Sequence, residues 1–104
     1  MYMAYGDAKV KEPSPGVTRR VLVNNDDVMV VEANYAVDLP MHNHVHRQVT
    51  YLLSGKLEFS LDDKVFQMGK GDSVIVPSDV PHGFKVLEPA VIIDFLTPAR
   101  KDFL

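Results

Sequence analysis

The chain has 104 residues, a formal net charge of −3 and 46% hydrophobic residues, enough for one domain with a buried core and too little for two. A mildly acidic chain with scattered lysines and arginines excludes the basic footprint of a nucleic-acid binder and a cationic membrane-surface patch. It has no cysteine, which excludes disulfides, thiolate metal ligands and a cysteine nucleophile.

Residues 1–16 read as an N-terminal arm, set apart by the stretch KEPSPG, and residues 17–104 as a single barrel domain. The opening residues lack an apolar core of signal-peptide length. No run approaches the roughly 18 apolar residues of a membrane span. A cytoplasmic protein with no membrane partner is therefore expected.

From Val17 onward the pattern is β. RRVLV and DVMVVEANYAV are rich in β-branched residues, which favour strands. In VTYLLSGKLEFSL, Leu57, Phe59 and Leu61 alternate with Lys56, Glu58 and Ser60. Asp62-Asp63-Lys64 reads as a tight hairpin turn before VFQM, GKGD as another turn, and SVIVP as a short buried strand. KVLEPAVIIDFL reads as two strands joined at Glu88-Pro89. No segment sustains helical periodicity. Short strands separated by turn signals predict an all-β sandwich or small barrel.

The histidines carry the chemistry. His42, His44 and His46 occupy alternate positions, Gln48 continues the spacing, and His82 stands alone far downstream. Residues two apart on a strand face one side, so His42 and His44 can offer two imidazoles to one ion. A straight strand from His42 to Gln48 would span about 20 Å, too long for one ion. If Gln48 contributes, the chain must turn near Val45-His46-Arg47, which points His46 away. The second segment, GKGDSVIVPSDVPHGF, delivers His82 from a loop bracketed by Pro77 and Pro81. Proline fixes such a loop at low entropic cost.

These two segments resemble the two motifs of the cupin superfamily. The first has HxH, then Glu or Gln, then Gly, matched here by His42, His44, Gln48 and Gly55. The second has Gly, five residues, Pro and then His, matched by Gly71, Pro77 and His82. The resemblance implies a small jelly-roll (cupin) β-barrel with one divalent metal held by His42, His44, Gln48 and His82. Most metal cupins carry Glu where Gln48 stands, so this site has one negative charge fewer. Three imidazoles and an amide suit a transition metal such as zinc, nickel, manganese or iron.

A narrower resemblance is to the KdgF-type cupins of pectin and alginate degradation. It rests on GVTRRVLVNNDDVMVVEA, on the two motifs and on the ending IIDFLTPARKDFL. Asp94, Pro98, Arg100 and Asp102-Phe103-Leu104 fit the family's ending, whereas Leu96 replaces its usual pocket phenylalanine and a phenylalanine sits one place earlier, at Phe95. Such proteins open the ring of 4,5-unsaturated uronates to linear keto-deoxyuronates. The resemblance thus implies a small anionic sugar acid as substrate, with Asp94 and Arg100 as catalytic residues.

Read from the residues alone, Asp94 sits in an apolar segment with Ile92 and Leu96 as parity mates. It is an acid/base aimed into the barrel or a strand-end carboxylate paired with Arg100 or Arg20. Arg100 is a carboxylate fork or a surface cation. The rival functions are another metal-dependent cupin enzyme (dioxygenase, isomerase or cyclase) and a non-catalytic sugar-binding cupin. A homodimer is expected, because the arm could add a strand to a neighbour.

Overall fold

Two long strands organise the computed structural model, which describes residues 1–104. The strands are β1 (Val10–Ser14), β2 (Val17–Asn24), β3 (Met29–Tyr35), β4 (Leu39–His42), β5 (Arg47–Leu61), β6 (Lys64–Met68), β7 (Ser73–Val76) and β8 (His82–Thr97). All pairings are antiparallel, in the order β1-β2-β3-β8-β5-β6, with β4 added to β8 and β7 to β5. This is the expected all-β jelly roll.

β5 and β8 run 15 and 16 residues, far beyond the usual strand of about 5–6, because both bend and serve two sheets. They stay paired from Arg47↔Thr97 at one extreme to Leu61↔His82 at the other, with register shifts between Leu52 and Leu57. The first half of β5 and the second half of β8 lie between β7 and β3. Their other halves lie between β6 and β4. Gly55 stands in the bend with φ +91°, and a Cβ there would come within 2.3 Å of the Pro89 carbonyl oxygen. Only glycine fits that close approach at positive φ.

The bend corrects one sequence expectation. KVLEPAVIIDFL is not two strands: it lies within β8, which runs unbroken through Pro89. A proline donates no ladder hydrogen bond, and a bulged corner is where a sheet tolerates one. The turn at Asp62-Asp63 is as expected, with Leu61 opposite Lys64 and Asp62 at φ 54°. Residues 1–16 carry β1, which pairs with β2 of the same chain through Val10↔Arg20. The Tyr5 hydroxyl donates to Glu32 Oε1 at 2.6 Å, tying the arm to its own barrel.

The inner faces of the two sheets meet in a core of Leu52, Leu57, Phe59, Met68, Val76, Phe84 and Ile92. Phe59 stacks on Phe66 at 5.6 Å between centroids. A smaller cluster of Met29, Val31, Leu96 and Ala99 anchors the C-terminal tail, with Phe103 packed against it.

Candidate metal centre and cavity

The limbs of β5 and β8 open at the end away from the Gly55 corner, and there the histidines converge. His42 ends β4 and lies opposite His82, the first residue of β8. After His42 the chain leaves the strand and bends at Val45-His46, as a contribution from Gln48 requires. Two bonds to the loop between the prolines hold that bend. The Asp79 N–H donates to the His44 carbonyl at 2.8 Å, and the Ser78 hydroxyl donates to the Val45 carbonyl at 2.6 Å.

The ligand atoms of His42, His44 and His82 lie within 4.8 Å of one another. His42 Nδ1 is 2.9 Å from the Pro40 carbonyl and His82 Nδ1 is 2.9 Å from the Val80 carbonyl. A carbonyl only accepts, so each Nδ1 carries a proton, which makes Nε2 the ring nitrogen through which a neutral imidazole would bind a metal. His82 Nε2 and both ring nitrogens of His44 are buried and find no partner in the protein. Buried polar atoms are rarely left so. Burial, and then the positive charge of Arg100 and the neighbouring histidines, pushes His44 down to about 4. Burial also lowers His82, opposed by its bond to Val80. Neutral imidazole is the metal-binding form, so this donor set fits a transition metal. His46 is not one of the three, though its ring centroid lies 5.2 Å from that of His44.

Gln48, Thr50 and Leu52 alternate inward on β5 and are buried. The Gln48 amide nitrogen donates to Thr50 Oγ1 at 2.8 Å and to Asp94 Oδ1 at 3.3 Å. That leaves the amide oxygen as the branch able to act as a ligand. The Thr50 hydroxyl donates to Asp94 Oδ1 at 2.6 Å, because the β5–β8 register places Thr50 directly opposite Asp94. Asp94 makes no salt bridge: Arg20 pairs with Glu32 at 3.8 Å and Arg100 with Asp102 at 3.2 Å. Burial raises Asp94 to about 6, against the opposing effects of Thr50 and Arg100.

Asp94 borders a cavity of about 200 Å³ lined by Arg19, Tyr35, Leu39, His42, Gln48, Asp94, Leu96, Arg100 and Phe103. That is below the roughly 300–1,000 Å³ of pockets for drug-sized ligands and suits a single small ring. His42 belongs to both the histidine cluster and the cavity, so the sequence-predicted His42, His44, Gln48, His82, Asp94 and Arg100 all meet at one end of the barrel. Leu96 lines the cavity, while Phe95 points outward and is 42% exposed. The aromatic lining comes instead from Tyr35 and Phe103.

Sequence reasoning missed Thr50, Arg19, Tyr35 and Phe103. The parity of Thr50 with Gln48 was a readable signal. Arg19 shares parity with Val17 and Val21, and pairing with the buried Ala33 turns it inward. Burial, and then the charge of Asp94, raises Tyr35 to about 12, opposed by Arg19 and Arg100.

Comparisons with known proteins agree with this architecture. The chain is 29% identical over 98 residues to the pectin degradation protein KdgF of Dickeya dadantii (strain 3937), covering 90% of this chain and 89% of that one. The structure superimposes on a KdgF from Halomonas sp. with TM-score 0.92 at 26% identity, covering 100% of both chains. It superimposes on an RmlC-like cupin from Shewanella frigidimarina NCIMB 400 with TM-score 0.93 at 28% identity, covering 99% of this chain and 95% of that one. The cupin domain profile matches residues 27–96, and with the converging histidine motifs this makes the chain a member of the cupin domain family.

Proposed function

We propose that the protein opens the ring of 4,5-unsaturated uronates, the monosaccharides left by pectin or alginate lyases, to give linear keto-deoxyuronates. One observation carries this reading: a buried carboxylate and two arginine side chains line one monosaccharide-sized cavity, and His42 joins that cavity to the three-histidine cluster. The likeness to a protein named for pectin degradation supports the same substrate class.

His42, His44, His82 and the Gln48 amide oxygen would hold one divalent transition metal. When bound, it would supply Lewis-acid stabilisation of negative charge on the substrate. The protein's own groups do the rest. A proton leaves the anomeric hydroxyl, the oxygen on C1 becomes a carbonyl, and the bond from C1 to the ring oxygen breaks. The electron pair moves onto the ring oxygen as an enolate over C5 and C4. Protonation at C4 gives the ketone at C5. One proton is removed and one returned, so the reaction is an isomerisation.

Asp94 is the group we assign to that proton. Thr50 and Gln48 donate to its Oδ1 and fix its orientation, leaving Oδ2 for the substrate. Arg100 adds positive charge at the cavity wall while Asp102 holds it in place.

Proton NMR in D₂O with freshly made 4,5-unsaturated galacturonate tests this directly. Metal-loaded protein is expected to form the linear product faster than the spontaneous reaction, with deuterium entering C4 from one face. Asp94→Asn is expected to abolish the acceleration. Product formation at the spontaneous rate with every metal tried would defeat the reading and make iron- and oxygen-dependent chemistry the next assay.

A further inference from the structure

Arg19 and Arg20 are neighbours on β2 with opposite fates. Arg20 is engaged away from the cavity: it donates to the Ala8 carbonyl at 2.8 Å, lies 3.8 Å from Glu32, and covers the Tyr5 ring at 4.6 Å. Arg19 turns into the barrel opposite the buried Ala33 and lines the cavity beside His42, Asp94 and Arg100. Its Nε is buried and meets no acceptor in the protein. Its guanidinium carbon lies 3.6 Å from the centre of the Phe103 ring.

A guanidinium is always charged, and burying it without an anion is costly. Stacking on Phe103 engages its face and leaves its in-plane N–H groups free. Arg100 also lies over the Phe103 ring, at 4.3 Å, so two cations share one aromatic ring. Asp102 satisfies only Arg100, through two bonds of 3.2 Å. The unmatched fork is Arg19, and a planar carboxylate is the anion whose geometry fits it.

We propose that Arg19 is the specificity-determining residue of the cavity, gripping the carboxylate of an anionic monosaccharide from the wall formed with Phe103. This rests on the sugar-acid reading above and assigns the anion grip to Arg19 rather than Arg100. Arg100, tied to Asp102, contributes charge without presenting a free fork.

Calorimetric titration of the metal-loaded protein with D-galacturonate and with uncharged D-galactose tests the assignment. Wild type is expected to prefer galacturonate. Arg19→Gln is expected to weaken galacturonate binding about 10- to 100-fold and to leave galactose unchanged. Arg19→Lys, which keeps the charge but loses the fork, should lose most of the preference, and Arg100→Gln should lose less of it than Arg19→Gln does. Metal stoichiometry and the melting profile of Arg19→Gln separate a lost grip from a lost fold. Should Arg19→Gln not fold, Arg19→Lys decides alone. Unchanged galacturonate affinity in the deciding variant would overturn the assignment, as would a wild type with no preference. Failure of this proposal is distinguishable from failure of the sugar-acid reading: wild type would still open the unsaturated ring, and the Arg19 variant would do so with unchanged KM.

Discussion

The two ends of this barrel are built from the same two strands and differ in almost everything else. At the corner, β5 and β8 bend past each other at Gly55 and Pro89, and beside the bend Leu52, Leu57, Phe59 and Ile92 fill the space between the sheets. At the mouth, the same strands present Gln48, Thr50, His82 and Asp94, with imidazole nitrogens and a guanidinium nitrogen that no protein group satisfies. The apolar region drives folding through buried area. The mouth carries buried polar atoms that no protein group satisfies, a feature rare in protein interiors. One strand pair thus divides the labour: its bend holds the fold, and its ends hold the candidate site.

That division can be broken from the corner side. Phe59 is 1% exposed and packs on Phe66 and Phe84. Phe59→Ala is expected to destabilise the protein by about 3–5 kcal/mol, read as a fall in the urea midpoint. The molecules still folded should bind metal with wild-type stoichiometry. A normal midpoint, or loss of metal from folded protein, would contradict the division.

At the mouth, Thr50→Val sharpens the comparison. It removes the hydroxyl that links Gln48 to Asp94 while keeping the shape. Loss of groups that orient ligands typically lowers metal affinity or activity about 10- to 100-fold. The same variant should lose about 1–3 kcal/mol of stability through unmet hydrogen bonds. Metal titration and ring-opening kinetics, measured beside the urea midpoint, check both.

The smallest effect belongs to the outside of the corner. Lys56 and Glu88 pair at 3.4 Å with side chains 61% and 57% exposed. Lys56→Ala is expected to change stability by about 0–1 kcal/mol and leave metal binding untouched. A larger loss would mean that the corner depends on this pair as well as on its core.

Much of this was legible in the sequence because it is local. Alternation placed His42, His44 and Gln48, prolines announced His82, and the need to span one ion demanded the bend at Val45-His46. The register of β5 against β8 was not legible, so Thr50 could not be set opposite Asp94. Strand parity alone could not decide which of Arg19 and Arg20 turns inward, since Val17 and Val21 share parity with one and Leu22 with the other. Pairing with the buried Ala33 decides it. Phe103 lies beyond the last strand, and it returns to the mouth only because Ala99 is buried beside Met29, Val31 and Leu96. Pro89 misled for a different reason: proline ends most strands, and only a bulged corner lets one continue.

The most direct measurement is the decay of the C4=C5 ultraviolet absorbance of 4,5-unsaturated galacturonate, followed with metal-loaded and chelator-stripped protein at equal concentration. The loaded protein is expected to accelerate decay, stripping to return it to the spontaneous rate, and restored zinc, nickel or manganese to recover it. Decay that stays at the spontaneous rate in every metal form, or an acceleration that survives complete removal of the metal, would contradict metal-dependent ring opening.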